Sequence, residues 1–138
     1  MLSAPATARP ALLALRIGAE PEAWRRCGFS VGDSGLLRAG GILIVLDPQS
    51  GTGLSAWQTT TAIPGLRSFS APPAADAPAV HPNAVTGVDH VVIATGAIDE
   101  TTAAFVEAGC EVGAERRAEL DGTDVLQRFL PMGGALAE

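Results

Sequence analysis

Apolar residues in this chain gather in short runs punctuated by Gly and Pro, a rhythm that favours strands and brief helices over long helices. The strongest run is Ile42-Leu43-Ile44-Val45-Leu46 after Gly40-Gly41, unbroken aliphatic sequence of the kind a sheet buries on both faces. Ahead of it, residues 12–17 read as a strand closed by Gly18, and residues 20–27 as a helix with Pro21 in its first turn, where a missing N–H costs nothing. Gly28 and Phe29 stop that helix; short strands at 29–31 and 36–39 flank a turn at 32–35, and a further strand is expected at 54–60.

A second stretch follows the same order. Residues 88–94 read as a buried strand, with β-branched residues at Val88, Val91, Val92 and Ile93; Gly96 closes it, and Asp99 is placed to cap a helix running to about residue 108, stopped by Gly109. A charged strand is expected at 110–120, a tight turn at Asp121-Gly122, a strand at 125–130, and after Gly133-Gly134 an extended segment at 135–138. Both stretches therefore read strand, helix, Gly, strand, turn, strand, Gly-Gly, strand. An internal duplication is the economical explanation, with the two units burying a core that neither closes alone. Between them, Pro72, Pro73, Pro78 and Pro82 mark a linker, because each ring removes a backbone donor and holds its predecessor extended. The expected organisation is a first unit over 1–66, a Pro/Ala-rich linker over 67–83 and a second unit over 84–138.

Composition narrows the function classes. The chain has 138 residues, 47% of them hydrophobic and 17% charged, which suits one globular domain, and no apolar stretch approaches the roughly 18 residues of a membrane span. Arg9 and Pro10 interrupt the Ala- and Leu-rich start where a secretory signal would need apolar residues, so a soluble cytoplasmic protein with no membrane partner is expected. A net charge of −6 with no Lys argues against nucleic acid as a partner. Cys27 and Cys110 belong to no CxxC pair and read as small buried thiols. No Ser/His/Asp set, P-loop or GxGxxG fingerprint occurs with the strand and helix around it that such motifs require.

The words Gly87-Val88-Asp89-His90-Val91-Val92-Ile93-Ala94, a helix ending Glu107-Ala108-Gly109, and Arg128-Phe129-Leu130-Pro131-Met132-Gly133-Gly134-Ala135-Leu136-Ala137-Glu138 resemble the glyoxalase/bleomycin-resistance/extradiol-dioxygenase (vicinal-oxygen-chelate) superfamily. Trp24-Arg25-Arg26-Cys27-Gly28-Phe29 and Gly40-Gly41-Ile42 are similar to the corresponding parts of another copy. The resemblance implies an α+β fold of tandem βαβββ modules with curved mixed sheets. It also implies a divalent metal, Zn, Fe, Mn or Ni, held by a His on the first strand and a Glu on the last strand of paired modules, here His90 and Glu138. A metal so held polarises two adjacent substrate oxygens as a Lewis acid. Gln127 and Arg128 lie on the strand beside the implied cup, and since neighbours on a strand face opposite ways, one of them should meet a small-molecule substrate.

Three readings follow: a metal-dependent lyase, isomerase or dioxygenase acting on a small oxygen-bearing metabolite; a non-catalytic binding module like the bleomycin-resistance members; or a fragment that pairs through exposed strand edges as a homodimer. The first unit weakens the catalytic reading, because Val45 falls at the Glu position and Leu12 or Leu13 at the His position, while Asp47 beside Pro48 reads as a turn residue. The sequence also stops at Glu138 within an expected strand, as if a further module were missing. Among the remaining residues, His81 reads as a solvated loop residue, Arg116 and Arg117 with Glu115 and Glu119 as a charged edge that resists aggregation, and Trp24 and Trp57 as packing groups.

Overall fold

The computed structural model describes residues 9–138, so the opening of the first unit and most of the Ala/Leu-rich start lie outside the described residues. Among the described residues the fold is α+β, with two mixed four-stranded sheets, two α-helices and one short 3-10 helix at Pro48–Ser50. Strands β1 (Leu12–Gly18), β2 (Leu36–Ala39), β3 (Ile42–Leu46) and β4 (Gly53–Thr59) form the first sheet in the order β2-β3-β1-β4. Strands β5 (His90–Val91), β6 (Ala114–Leu120), β7 (Thr123–Met132) and β8 (Ala135–Ala137) form the second in the order β5-β8-β7-β6. Helix α1 (Pro21–Arg26) follows β1, and α2 (Ile98–Glu107) follows β5.

The two sheets share a nucleus. In each, the opening strand runs parallel to the strand after the Gly-Gly turn: β1 beside β3, with Ala14 opposite Leu43, and β5 beside β8, with His90 opposite Leu136. The turns correspond as well, since Gly40 and Gly133 take positive φ of 61° and 75°, a region that costs residues with a Cβ. Outside this nucleus the halves differ. Residues 29–31 form no strand, and β4 pairs antiparallel with β1 on the edge that has no equivalent in the second sheet.

Ile42, Leu15, Leu12 and Trp57 of the first sheet pack with Val91, Phe105, Leu130, Met132, Ala135 and Ala137 of the second half in one buried cluster. Trp57 and Phe105 meet edge to face, with ring centroids 5.9 Å apart. The opposite face of the first sheet, carrying Ala14, Leu36, Leu43 and Val45, is covered by Phe69, Ala71, Ala74 and Ala77. The proline-rich stretch is therefore a covering layer as well as a connection. Its Pro78 carbonyl accepts from the Arg38 N–H at 2.7 Å.

His81, within that stretch, is buried at 5% exposure rather than solvated. Its Nδ1 accepts from the Ser30 N–H at 3.0 Å, and its Nε2 donates to the Arg38 carbonyl at 2.7 Å, so the ring joins loop 29–31 to β2 where no strand does. Of the two thiols, Cys110 is buried and Cys27 exposed. Among the described residues, no helix is long and apolar enough to cross a membrane.

Candidate functional site

Side chains alternate along β7, and their partners show which way each points. Leu130 joins the core beside Phe105, and Arg128 donates to Asp99 at 2.8 Å and Thr102 at 3.1 Å, so even-numbered positions face α2. Gln127 and Phe129 face away from it. The ladder sets Arg116 opposite Gln127, and both His90 and Pro131 opposite Leu136. His90, Glu138, Gln127, Phe129 and Arg116 thus share one face, on which His90 and Arg116 are exposed and the other three half-buried.

These polar groups form a continuous chain of contacts. Arg116 Nε donates to Gln127 Oε1 at 2.6 Å, and the other end of that amide, Nε2, donates to Glu138 Oε1. The guanidinium of Arg116 also lies over the Phe129 ring, 5.5 Å from its centroid. Gln127 thereby fixes the Glu138 carboxylate, whose second oxygen, Oε2, lies 3.5 Å from His90 Nε2. On its far side, His90 Nδ1 donates to Asp89 Oδ2 at 2.8 Å. That bond selects the tautomer: with the hydrogen on Nδ1, the Nε2 lone pair of a neutral ring faces a carboxylate oxygen.

Two acceptors facing each other need a cation between them, either a proton or a metal. The proton is favoured at low pH: the Asp89 hydrogen bond raises the His90 pKa above its ordinary 6.5, partial desolvation opposes this, and the charges of Glu138 and Asp89 add to the rise. The metal fits by distance. Bonds of about 2.1 Å in a tetrahedral shell separate neighbouring donors by about 3.4 Å, against the 3.5 Å found here. Asp89 would then play the outer carboxylate that orients a ligating imidazole. His90 and Glu138 are two donors; among the described residues no group of three or more His, Cys, Asp or Glu side chains comes together.

Arg128 lies on the other face of β7. Glu115 at 2.7 Å and Asp99 at 2.8 Å hold it, in that order pushing its pKa further up, so it ties β6 and β7 to α2. Asp99 does not cap α2, whose cap position is Ala97 without a side-chain bond. Both Gln127 and Arg128 border a cleft of about 540 Å³ between β7 and residues 92–96, floored by Ile98, Thr101 and Phe105 of α2.

The first sheet carries no counterpart of this site. Matching the Gly-Gly turns aligns Leu43 with Leu136 and Val45 with Glu138, and the β1/β3 register then sets Ala14, rather than Leu12 or Leu13, where His90 stands. Ala14 is buried and Val45 packs against the same cluster, under Phe69 and Ala74. The Asp-His pair and Gln127 were visible in the sequence as isolated residues. The link from Arg116 through Gln127 to Glu138 was not, because it depends on a cross-strand register no local signal sets. Compared with family models, curated proteins and solved structures, the chain gives no match.

Proposed function

We propose that this chain is a small-molecule-binding protein of the vicinal-oxygen-chelate type, its two halves being βαβββ-like units, with His90 and Glu138 as two ligands of a divalent cation. The observation that supports this is the pair His90 Nε2 and Glu138 Oε2, 3.5 Å apart on an accessible face, each held from behind by Asp89 or Gln127. A carboxylate and an imidazole suit Zn, Fe, Mn or Ni, and such a cation would supply Lewis acidity to two adjacent oxygens of a small metabolite. The protein's own part is to orient the donors: Asp89 sets the imidazole tautomer, and Arg116 steadies Gln127, which holds one carboxylate oxygen and leaves the other free.

The test is calorimetric titration with Zn²⁺ and, separately, Mn²⁺. Stoichiometric binding that falls at least tenfold in His90→Ala and stays unchanged in Asp124→Asn is the expected result. Equal affinity in His90→Ala, or no binding by the unaltered chain, would sink the reading. Between catalysis and binding alone, Ala14 and Val45 under an apolar cover favour binding, since the first sheet offers no donors to complete a catalytic shell. A metal-loaded chain that takes up a bidentate oxygen ligand such as acetohydroxamate, yet leaves an α-ketoaldehyde thiol adduct unconverted, is the outcome expected of a binding module.

A further inference from the structure

Strand β6 is the outer strand of the second sheet, with β7 on one side and, among the described residues, no strand on the other. The turn that joins it to β7 fixes which of its backbone groups are left over. Asp121 and Gly122 both take positive φ, 50° and 79°, the two-residue form in which the flanking Leu120 and Thr123 are a hydrogen-bonded pair. Bonding alternates from there along an antiparallel ladder, so Ala118 and Arg116 also serve β7. The N–H and C=O groups of Glu115, Arg117 and Glu119 therefore point outward, and among the described residues no backbone bond reaches them.

Such an edge pairs with another strand unless its side chains forbid it. Those of β6 forbid most pairings with a second copy and favour one. In a two-fold antiparallel pairing, residues on the same face of the two strands meet, so the axis passes through one residue that faces itself. Like charges set directly opposite are destabilising. An axis at Glu115, Arg116, Arg117 or Glu119 sets a charge against itself, and one at Leu120 sets Glu119 against Asp121. An axis at Ala114 carries half of the pairing off the start of the strand. An axis at Ala118 escapes all of these conflicts: it sets Arg117 opposite Glu119 twice, Arg116 opposite Leu120 twice, and Ala118 opposite Ala118.

We propose that β6 pairs antiparallel with β6 of a second copy of this chain, about a two-fold axis at Ala118. The outward backbone groups of Arg117 meet those of Glu119 in the second copy, and each such pair exchanges two hydrogen bonds. Both side chains are exposed, and among the described residues neither takes part in an ion pair, so each is available to the other. Ala118 falls where the strands approach most closely, about 4.5 Å between Cα atoms, and its methyl group fits there. Leu120, 58% exposed in the single copy, comes to lie along the aliphatic stem of Arg116 from the second. With both β6 edges used, the assembly closes at two copies. Residues 116–120 form a short edge, well below the roughly 800 Å² per partner of a stable complex, so the dimer is weak and concentration-dependent. The proposal rests on β6 alone and is independent of any cation at His90.

The test is sedimentation velocity of the 138-residue chain from micromolar to millimolar concentration at low ionic strength, where exposed ion pairs are least screened. The unaltered chain should dimerise as concentration rises. Arg117→Glu and Glu119→Arg each set like charges together across the axis, and each should weaken dimerisation at least tenfold while far-UV circular dichroism stays native. Mixed in equal amounts, the two variants should form a heterodimer, because one strand then carries two acidic residues where the other carries two basic ones. The proposal is overturned if the unaltered chain stays monomeric at millimolar concentration, or if the mixture of variants does. It is equally overturned if either variant alone dimerises as the unaltered chain does, which would assign the contact to another surface.

Discussion

A single histidine shows how neighbours decide what a residue type can do. His90 and His81 are the two imidazoles of the chain, and the structure gives them opposite settings. His90 stands between Asp89 and Glu138, its pKa raised above 6.5 chiefly by the Asp89 hydrogen bond. Protonation of His90 thus stabilises the fold fully below pH 6.5, and that contribution fades as pH climbs through the raised value. In the metal-free protein, the His90 ring should titrate by NMR with a midpoint above 6.5, and Asp89→Asn should move it downward; an unmoved midpoint would show that Asp89 does not set the ring. His81 is a structural clasp, accepting from Ser30 and donating to Arg38 in a buried setting. His81→Ala leaves a buried donor and a buried acceptor without partners, and urea unfolding should register a loss of about 2–3 kcal/mol, whereas a solvated loop histidine would cost almost nothing.

At the scale of elements, the chain's punctuation was the most legible part. Residues 12–17, 20–27, 42–46 and 54–60 were expected close to where β1, α1, β3 and β4 stand, since Gly and Pro act through local backbone sterics. Residues 88–94 were expected as one strand, yet only His90–Val91 is ladder-paired: a β-branched run supplies propensity, but a strand also needs a neighbour to bond. Residues 29–31 fail for a related reason, because the His81 ring, distant in sequence, takes the Ser30 N–H. For the candidate site, the individual residues could be read from the sequence, but their grouping could not. Which of Gln127 and Arg128 faces Glu138 is fixed by register, and a one-residue slip would exchange them. The tightest local demand is at Gly18, the end of β1, where an added Cβ would lie 2.0 Å from the Gly51 carbonyl oxygen. Backbone cannot retreat as a side-chain tip does, so Gly18→Ala should destabilise by about 2–3 kcal/mol or more in chemical denaturation, while Gly41→Ala, with open space at its Cβ, serves as the control.

Across the whole molecule, the first sheet's two faces have separate tasks. One face is sealed by residues 69–77 and so is committed to packing, while the other joins the second half through Trp57, Ile42 and Leu15. The second sheet uses α2 and that shared core on one side and leaves its His90 and Glu138 face accessible. Phe105 is the residue on which this division rests. It is 2% exposed, it meets Trp57 edge to face, and it floors the cleft beside β7. Phe105→Ala opens a cavity at the centre of the shared cluster, a change that typically costs about 3–5 kcal/mol. Because the cluster draws on both halves, the loss should appear as one cooperative transition at lower denaturant, with tryptophan fluorescence and far-UV circular dichroism shifting together. If the halves held separate cores, the fluorescence transition, which reports Trp24 and Trp57 of the first half, would stay in place while the ellipticity of the second half melted earlier. Coincidence of the two probes in both the unaltered chain and Phe105→Ala is therefore the result that one common interior requires.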